Sequence, residues 1–246
     1  MHSAAEYTLR DQDRMKRATR YFEWQFRLAQ AQLGARVLEI GCGLGNFTEH
    51  LADRELVVAI DAEPDCIAAH RKRFAGRTNL VSLCLDAASP EFAKLREHRP
   101  DSVACLNVLE HVRDDLAALA QMHAVLPEGG RVVLIVPAFE SLYGPIDERL
   151  GHYRRYNKKS LTRLAERAGF RAGALRYMNS VGFFGWWFNA HVARKTAQSE
   201  WQIAVFDAVV VPVLRRLEGW MEPPVGQSIF AVLYKPSERP TAPRPW

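Results

Sequence analysis

The chain has 246 residues, 48% of them hydrophobic and 25% charged, and its formal net charge is +5. That length suits one α/β domain with modest additions, and the composition excludes a low-complexity or repeat chain. The opening residues MHSAAEYTLRDQDRMKR are too polar for a signal peptide and no run of 18 apolar residues occurs, so a cytoplasmic protein without a membrane span is expected.

Residues up to about 32 read as a helical cap with Tyr21, Trp24, Phe26 and Leu28 on it. Strands then follow at 36–41, 56–61, 80–86, 102–108 and 131–138, with helices expected at 46–54, 64–74, 90–98 and 114–126. The strands are β-branched runs without polar alternation, the pattern of strands buried on both faces. Their alternation with helices predicts a parallel sheet covered on both sides. A turn-rich stretch at 140–156 precedes a helix at 159–168, stopped by Gly169. Two more strands, ALRYM and SIFAVLYKP, bracket an aromatic and helical insertion. The expected organisation is a single domain over 1–236, with the cap at 1–34, the insertion at 181–224 and a Pro-rich flexible tail at 237–246.

Four cysteines, Cys42, Cys66, Cys84 and Cys105, are scattered, three of them in segments read as strands. That spacing suits reduced, buried thiols and not a disulfide framework or a zinc site. Two basic clusters, RDQDRMKRATR and RLGHYRRYNKK, favour anionic partners or simply form solvated helix faces.

The motif richest in chemistry is Val37-Leu38-Glu39-Ile40-Gly41-Cys42-Gly43-Leu44-Gly45-Asn46-Phe47, between the first strand and the first crossover. Glycines there allow positive φ and close approach of backbone to a ligand at the carboxyl end of the sheet. The dinucleotide fingerprint requires a third glycine where Asn46 stands, which argues against a nicotinamide cofactor. Asp61 ends the second strand, where a carboxylate accepts ribose hydroxyls. Asp86 ends the third, placed for an adenine amino group, and Asn107 ends the fourth. Each also has a bland reading as a helix cap or turn residue.

E-I-G-C-G-L-G, Asp61, the Asp86-Ala87 pair, L-N-V-L-E-H-V and L-P-E-G-G-R-V-V-L-I-V-P, in that order, resemble class I S-adenosylmethionine-dependent methyltransferases. The resemblance covers about 36–170. It implies a Rossmann-like, seven-stranded, mostly parallel sheet with an antiparallel last strand. It also implies S-adenosylmethionine as cofactor and S-adenosylhomocysteine as product. Glu39, Gly41, Cys42, Gly43, Gly45 and Asn107 would surround the methionine part, Asp61 and Ala62 the ribose, Asp86 and Ala87 the adenine.

Methyl transfer from a sulfonium is an in-line displacement in which the protein mainly positions donor and acceptor, with a base for a hydroxyl acceptor. His111, His152 and Tyr153 are the candidates for proton transfer. Arg154, Arg155, Tyr156, Tyr143 and Trp186 are the candidates for holding an acceptor, two arginines flanked by tyrosines being suited to an anion and a ring. Glu110-His111 resembles the Glu-His pair of ubiquinone-type and small-RNA O-methyltransferases. The further Glu of those families is Asn107 here, so no metal is expected.

L-Y-G-P-I-D-E-R-L-G-H-Y-R-R-Y, G-W-W-F-N and E-P-P-V-G-Q-S resemble a narrower group of methyltransferases of glycan, lipid-linked sugar or secondary-metabolite pathways. That implies O-methylation of a small or lipid-linked, anionic acceptor by a monomer or homodimer. The aromatic insertion reads as buried core or lid, as a wall for an apolar acceptor, or as a peripheral membrane patch. An RNA methyltransferase and a non-catalytic cofactor-binding partner are the alternatives. No RNA-binding motif is present, so nucleic acid is not the expected partner.

Overall fold

The computed structural model describes residues 13–194, 196 and 199–237. Helix α1 (Thr19–Ala29) leads into β1 (Arg36–Ile40), β2 (Leu56–Asp61), α2 (Pro64–Arg73), β3 (Leu80–Cys84), β4 (Ser102–Leu106), α3 (Asp115–Val125) and β5 (Arg131–Pro137). Then come α4 (Pro145–Leu150), α5 (Lys158–Arg167), β6 (Arg171–Met178), α6 (Ser180–Phe188), α7 (Glu200–Val205), α8 (Val211–Trp220) and β7 (Ser228–Tyr234).

The seven strands form one sheet in the order β3-β2-β1-β4-β5-β7-β6. β1 to β5 pair in parallel, while β7 runs antiparallel to both β5 and β6. Alternate residues of each inner strand feed two cores. Leu38, Ile40, Val58, Ile60 and Val103 meet Leu119 and Met122 of α3 and Leu161 of α5 on one face. Val37, Val57, Ala104 and Val133 meet Trp24 of α1 and Val211 and Leu214 of α8 on the other. Burial on both faces is why these strands read as continuous apolar runs.

Several expectations change in detail. The segment expected as helix 46–54 is only a 3-10 turn, Thr48–Leu51, and Pro90–His98 is a 3-10 helix. The stretch at 140–156 contains α4, opened by Pro145 at its first position and closed by Gly151 at φ 75°. Of the four free cysteines only Cys84 and Cys105 lie in strands; Cys42 is on the glycine loop, Cys66 on α2, and Cys84 is exposed, not buried. The tail at 238–246 and residues 1–12 of the cap lie outside the described residues. Among the described residues no helix is long and apolar enough to cross a membrane.

Candidate active site

The carboxyl ends of β1, β4 and β5, α1 and the loop carrying α4 enclose a cavity of about 360 Å³. Glu39, Gly41, Cys42, Gly43 and Asn107 line it from the sheet side; Tyr21, Phe22 and Gln25 close it from α1. Gly41 (φ 74°) ends β1, and a Cβ there would lie 2.2 Å from Val108 Cγ2, so this turn tolerates no side chain. Gly45 (φ 82°) has another role: a Cβ would meet Phe74 at 2.3 Å, so it lets the loop pack on α2, away from the cavity wall.

Glu39 is buried, and Thr48 donates to its Oε2 at 2.6 Å. The same hydroxyl lies 3.0 Å from His70 Nε2, and His70 Nδ1 lies 2.9 Å from Ser82 Oγ. Loss of hydration pushes the Glu39 carboxyl up to about 8, and the Asp61 charge adds to this. Burial, aided by Arg73, pushes His70 down to about 4, so it stays neutral. Among the described residues no cation pairs with Glu39, and such a buried carboxyl is a partner for a ligand ammonium group. Asp61 accepts from the Gly43 N–H (2.8 Å) and the Glu63 N–H (3.0 Å), bracing the glycine loop. These bonds leave lone pairs on both oxygens. Asp61, Ala62, Asp86 and Ala87 lie outside the cavity wall, at the neighbouring strand ends. Asp86 is exposed and accepts from Ala88 N in a local turn. Asn107 sits at φ 55°, a left-handed conformation that Asn accepts more readily than most residues. Burial drives the Cys42 thiol pKa upward, so it remains protonated.

On the opposite wall the side chains converge on a residue that the sequence reading did not select. Asp147, fully buried on α4, accepts from Arg155 Nε (2.9 Å), Trp186 Nε1 (3.3 Å) and Gly144 N (3.1 Å), and its Oδ1 is 2.8 Å from His152 Nδ1. Burial acts to raise its pKa, but the His152 and Arg155 partners outweigh it and hold the carboxyl below its ordinary value. An acid inside G-P-I-D-E-R-L-G-H-Y-R-R, with a helix-opening Pro two residues before it, was the available signal. The imidazole rings of His152 and His111 meet edge to face at 4.5 Å. Burial first, then His152, pushes His111 down to about 4. Glu110 lies beside them, pushed up to about 7 by burial, and among the described residues its Oε2 has no hydrogen-bond partner.

Glu110, His111 and His152 each offer one ligand atom, and these atoms lie within 4.8 Å of one another. The expectation of no metal rested on Asn107; folding supplies His152 from a distant loop in its place. Two imidazoles and one carboxylate are able to hold a divalent transition ion and suit Mg²⁺ poorly.

Tyr153, a candidate for proton transfer, and the acceptor candidates divide between the cavity wall and its surroundings. Tyr153 is exposed, with Arg154 5.7 Å from its ring, and it is not part of the cavity wall. Arg154 pairs with Asp115 at 2.7 Å. Arg155 is buried on Asp147 and beneath the Trp186 ring at 5.0 Å. Tyr156 lies in the core with its hydroxyl on Asp115 at 3.0 Å, and Tyr143 donates to the His152 carbonyl at 2.7 Å. Of these five residues only Arg155 lines the cavity. Trp186 lines the cavity, as do the basic residues Arg14 and Arg149, which sequence reasoning had not separated from their clusters.

Residues 12–174, more than half of the chain, match the family described as methyltransferase domain. The chain belongs to that family, and its sheet is that of class I S-adenosylmethionine-dependent methyltransferases. Among curated proteins it is 28% identical over 167 residues to an uncharacterized 37.1 kDa protein in a transposon of Streptomyces fradiae, covering 61% of this chain and 48% of that one. It is 35% identical over 101 residues to the ubiquinone biosynthesis O-methyltransferase of Xylella fastidiosa, covering 40% of each. The chain therefore spans less than half the length of these curated relatives. A methyltransferase from Haloferax volcanii, solved with its Trm112 activator, superposes with a TM-score of 0.64 at 15% identity, covering 95% of this chain and 96% of that one. The N-methyltransferase NodS of Bradyrhizobium japonicum, solved with S-adenosylhomocysteine, superposes with a TM-score of 0.55 at 18% identity, covering 88% and 86%.

Proposed function

We propose that this chain methylates an oxygen of a small or lipid-linked acceptor bearing an anionic group, using S-adenosylmethionine. The observation that carries this reading is His152, backed by the buried Asp147 and lining the cavity that the glycine loop also lines. The cofactor, when bound, supplies an electrophilic methyl group on a sulfonium. Glu39 receives its ammonium group, Asp61 the ribose, and the turn at Gly41 gives backbone access. The residues fit that cofactor because a buried carboxyl, paired with no cation among the described residues, faces a glycine-walled cavity.

Asp147 fixes the proton on His152 Nδ1, so Nε2 is left as the acceptor for a hydroxyl proton. Arg149 and Arg14 supply positive charge for an anionic acceptor, while Tyr21, Phe22 and α1 exclude water from the reacting groups. Four free cysteines agree with a reducing, cytoplasmic setting. Arg154 and Arg155 are engaged by Asp115 and Asp147, which weakens the RNA reading.

The test is calorimetric titration of S-adenosylhomocysteine, with NAD as control, followed by His152→Asn. The variant is expected to keep cofactor affinity and to lose about 10²–10⁴ in kcat, the contribution of a positioned base. Unchanged turnover removes His152 from the mechanism. Turnover abolished by a chelator and restored by a divalent ion assigns His152 to a metal, with Glu110 and His111. No binding of S-adenosylhomocysteine by folded protein rejects the whole reading.

A further inference from the structure

The insertion between β6 and β7 is turned inside out relative to a helix that faces water. One continuous helical run spans α7, a π-helical stretch (Phe206–Val210) and α8. Its inner positions include two buried carboxylates, Asp207 and Glu218. Its outer positions are Trp201, Val205, Val209, Val213, Leu217 and Trp220, with Trp201 72% and Trp220 95% exposed. At 3.6 residues per turn a spacing of four drifts about 40° at each step, so the four such steps from Trp201 to Leu217 would carry an apolar line about 160° around an α-helix. The π stretch, with its wider turn, counters that drift and keeps the line on one side for ~30 Å. Phe184, Trp187 and Phe188 of α6 are exposed as well.

Charge on this face has one sign. Asp207 and Glu218 point inward to backbone N–H groups, Glu200 pairs with Arg17, and Glu222 pairs with Lys158. Arg194 and Arg216 are exposed, and among the described residues neither has an acidic partner. Beneath the helices lies a second cavity of about 450 Å³. It shares Met15, Tyr21, Ile146, Trp186 and Ile203 with the active-site cavity, and its wall includes the exposed residues Val181 and Phe188. A mainly apolar space, with Asp207 and Gln227 among its few polar wall residues, thus adjoins the site at one end and the exposed aromatic face at the other.

We propose that the outer face of α6, α7 and α8 docks on an anionic lipid bilayer. The hydrocarbon chain of the acceptor then passes from the bilayer into the second cavity, while its polar end reaches His152. The chain-bearing acceptor rests on the methyl-transfer reading above; the docking does not. Two observations favour lipid over a second copy of the chain. A two-fold contact would bring like charges together, and a second copy would cover the wall at Val181 and Phe188. Anionic headgroups answer the arginines, and acyl chains answer the tryptophans and valines.

The experiment is sedimentation of the full chain with phosphatidylcholine vesicles, with and without phosphatidylglycerol, alongside S-adenosylhomocysteine calorimetry. Wild-type protein is expected to sediment with the phosphatidylglycerol vesicles and to be released by salt. The double variant V209D/W220S is expected to lose vesicle affinity by roughly tenfold or more, while S-adenosylhomocysteine binding shows that it is folded. Protein that stays in the supernatant with every vesicle overturns the docking and leaves the methyl-transfer reading standing. A concentration-dependent dimer that V209D/W220S dissolves overturns it in favour of a second copy. Vesicle binding without S-adenosylhomocysteine binding supports the docking and sinks the methyl-transfer reading instead.

Discussion

Glu39 shows how a single buried group ties stability, affinity and pH together. Its carboxyl is raised to about 8 in the folded chain and lies near the ordinary 4.5 when unfolded. The folded state therefore holds a proton that the unfolded state has released. The Glu39 contribution is fully present below about 4.5 and is lost as pH rises through about 8. A ligand ammonium group reverses the preference, because it favours the carboxylate. S-adenosylhomocysteine affinity is thus expected to rise with pH and to level off above about 8, with proton release that calorimetry in two buffers detects. Glu39→Gln is expected to bind more weakly with a flat pH profile, and to melt higher than wild type at pH near 8 without ligand. A pH-independent wild-type affinity would remove Glu39 from the ammonium site. Asp147 works in the other direction: hydrogen bonds from Arg155 and His152 keep it charged despite full burial.

At the scale of elements, two helices around the site, α1 and α6, receive carboxylates at their N-termini from far along the chain. α1 has Ala18 at its N-cap and no side-chain cap of its own. Asp207 accepts from the Arg20 and Tyr21 N–H groups instead. Glu218 accepts from the Asn179 and Ser180 N–H groups at the start of α6 in the same way. A carboxylate at a helix N-terminus satisfies unpaired donors and the positive end of the macrodipole together. Asp207→Ala is expected to lower stability by about 1–3 kcal/mol in thermal or urea unfolding. Because α1 carries Tyr21, Phe22 and Gln25 of the cavity wall, the same variant is expected to weaken S-adenosylhomocysteine binding. Normal stability with normal binding would show that the Asp207 cap is dispensable.

Over the whole molecule, the site is assembled from parts that are remote in sequence. The active-site cavity takes Tyr21 from α1, Glu39 from β1, His152 from the loop after α4 and Ile203 from α7. A ligand that fills it ties these segments to the sheet. Hydrogen exchange with S-adenosylhomocysteine is expected to slow in α1 and around the glycine loop together. Protection confined to 36–47 would mean that α1 does not close over the bound cofactor.

The parallel sheet, the glycine loop and the strand-end residues Glu39, Asp61, Asp86 and Asn107 were legible in the order of residues. Strands buried on both faces must be apolar throughout, and a turn at positive φ selects glycine, so both leave local marks. The Asp147 hub left only a faint mark, because its partners His152 and Arg155 read equally well as a solvated basic turn. Only the fold decided that Arg154 and Tyr156 are engaged by Asp115, away from the cavity, while Arg149 and Arg155 line it. Only the fold brought Glu110 and His111 against His152. The insertion is the sharpest case: apolar residues every fourth position look like a buried helix face, and apolarity carries no direction. Asp207 and Glu218 find their backbone donors only across the tertiary structure. Those contacts turn the carboxylates inward and leave the tryptophans and valines outside.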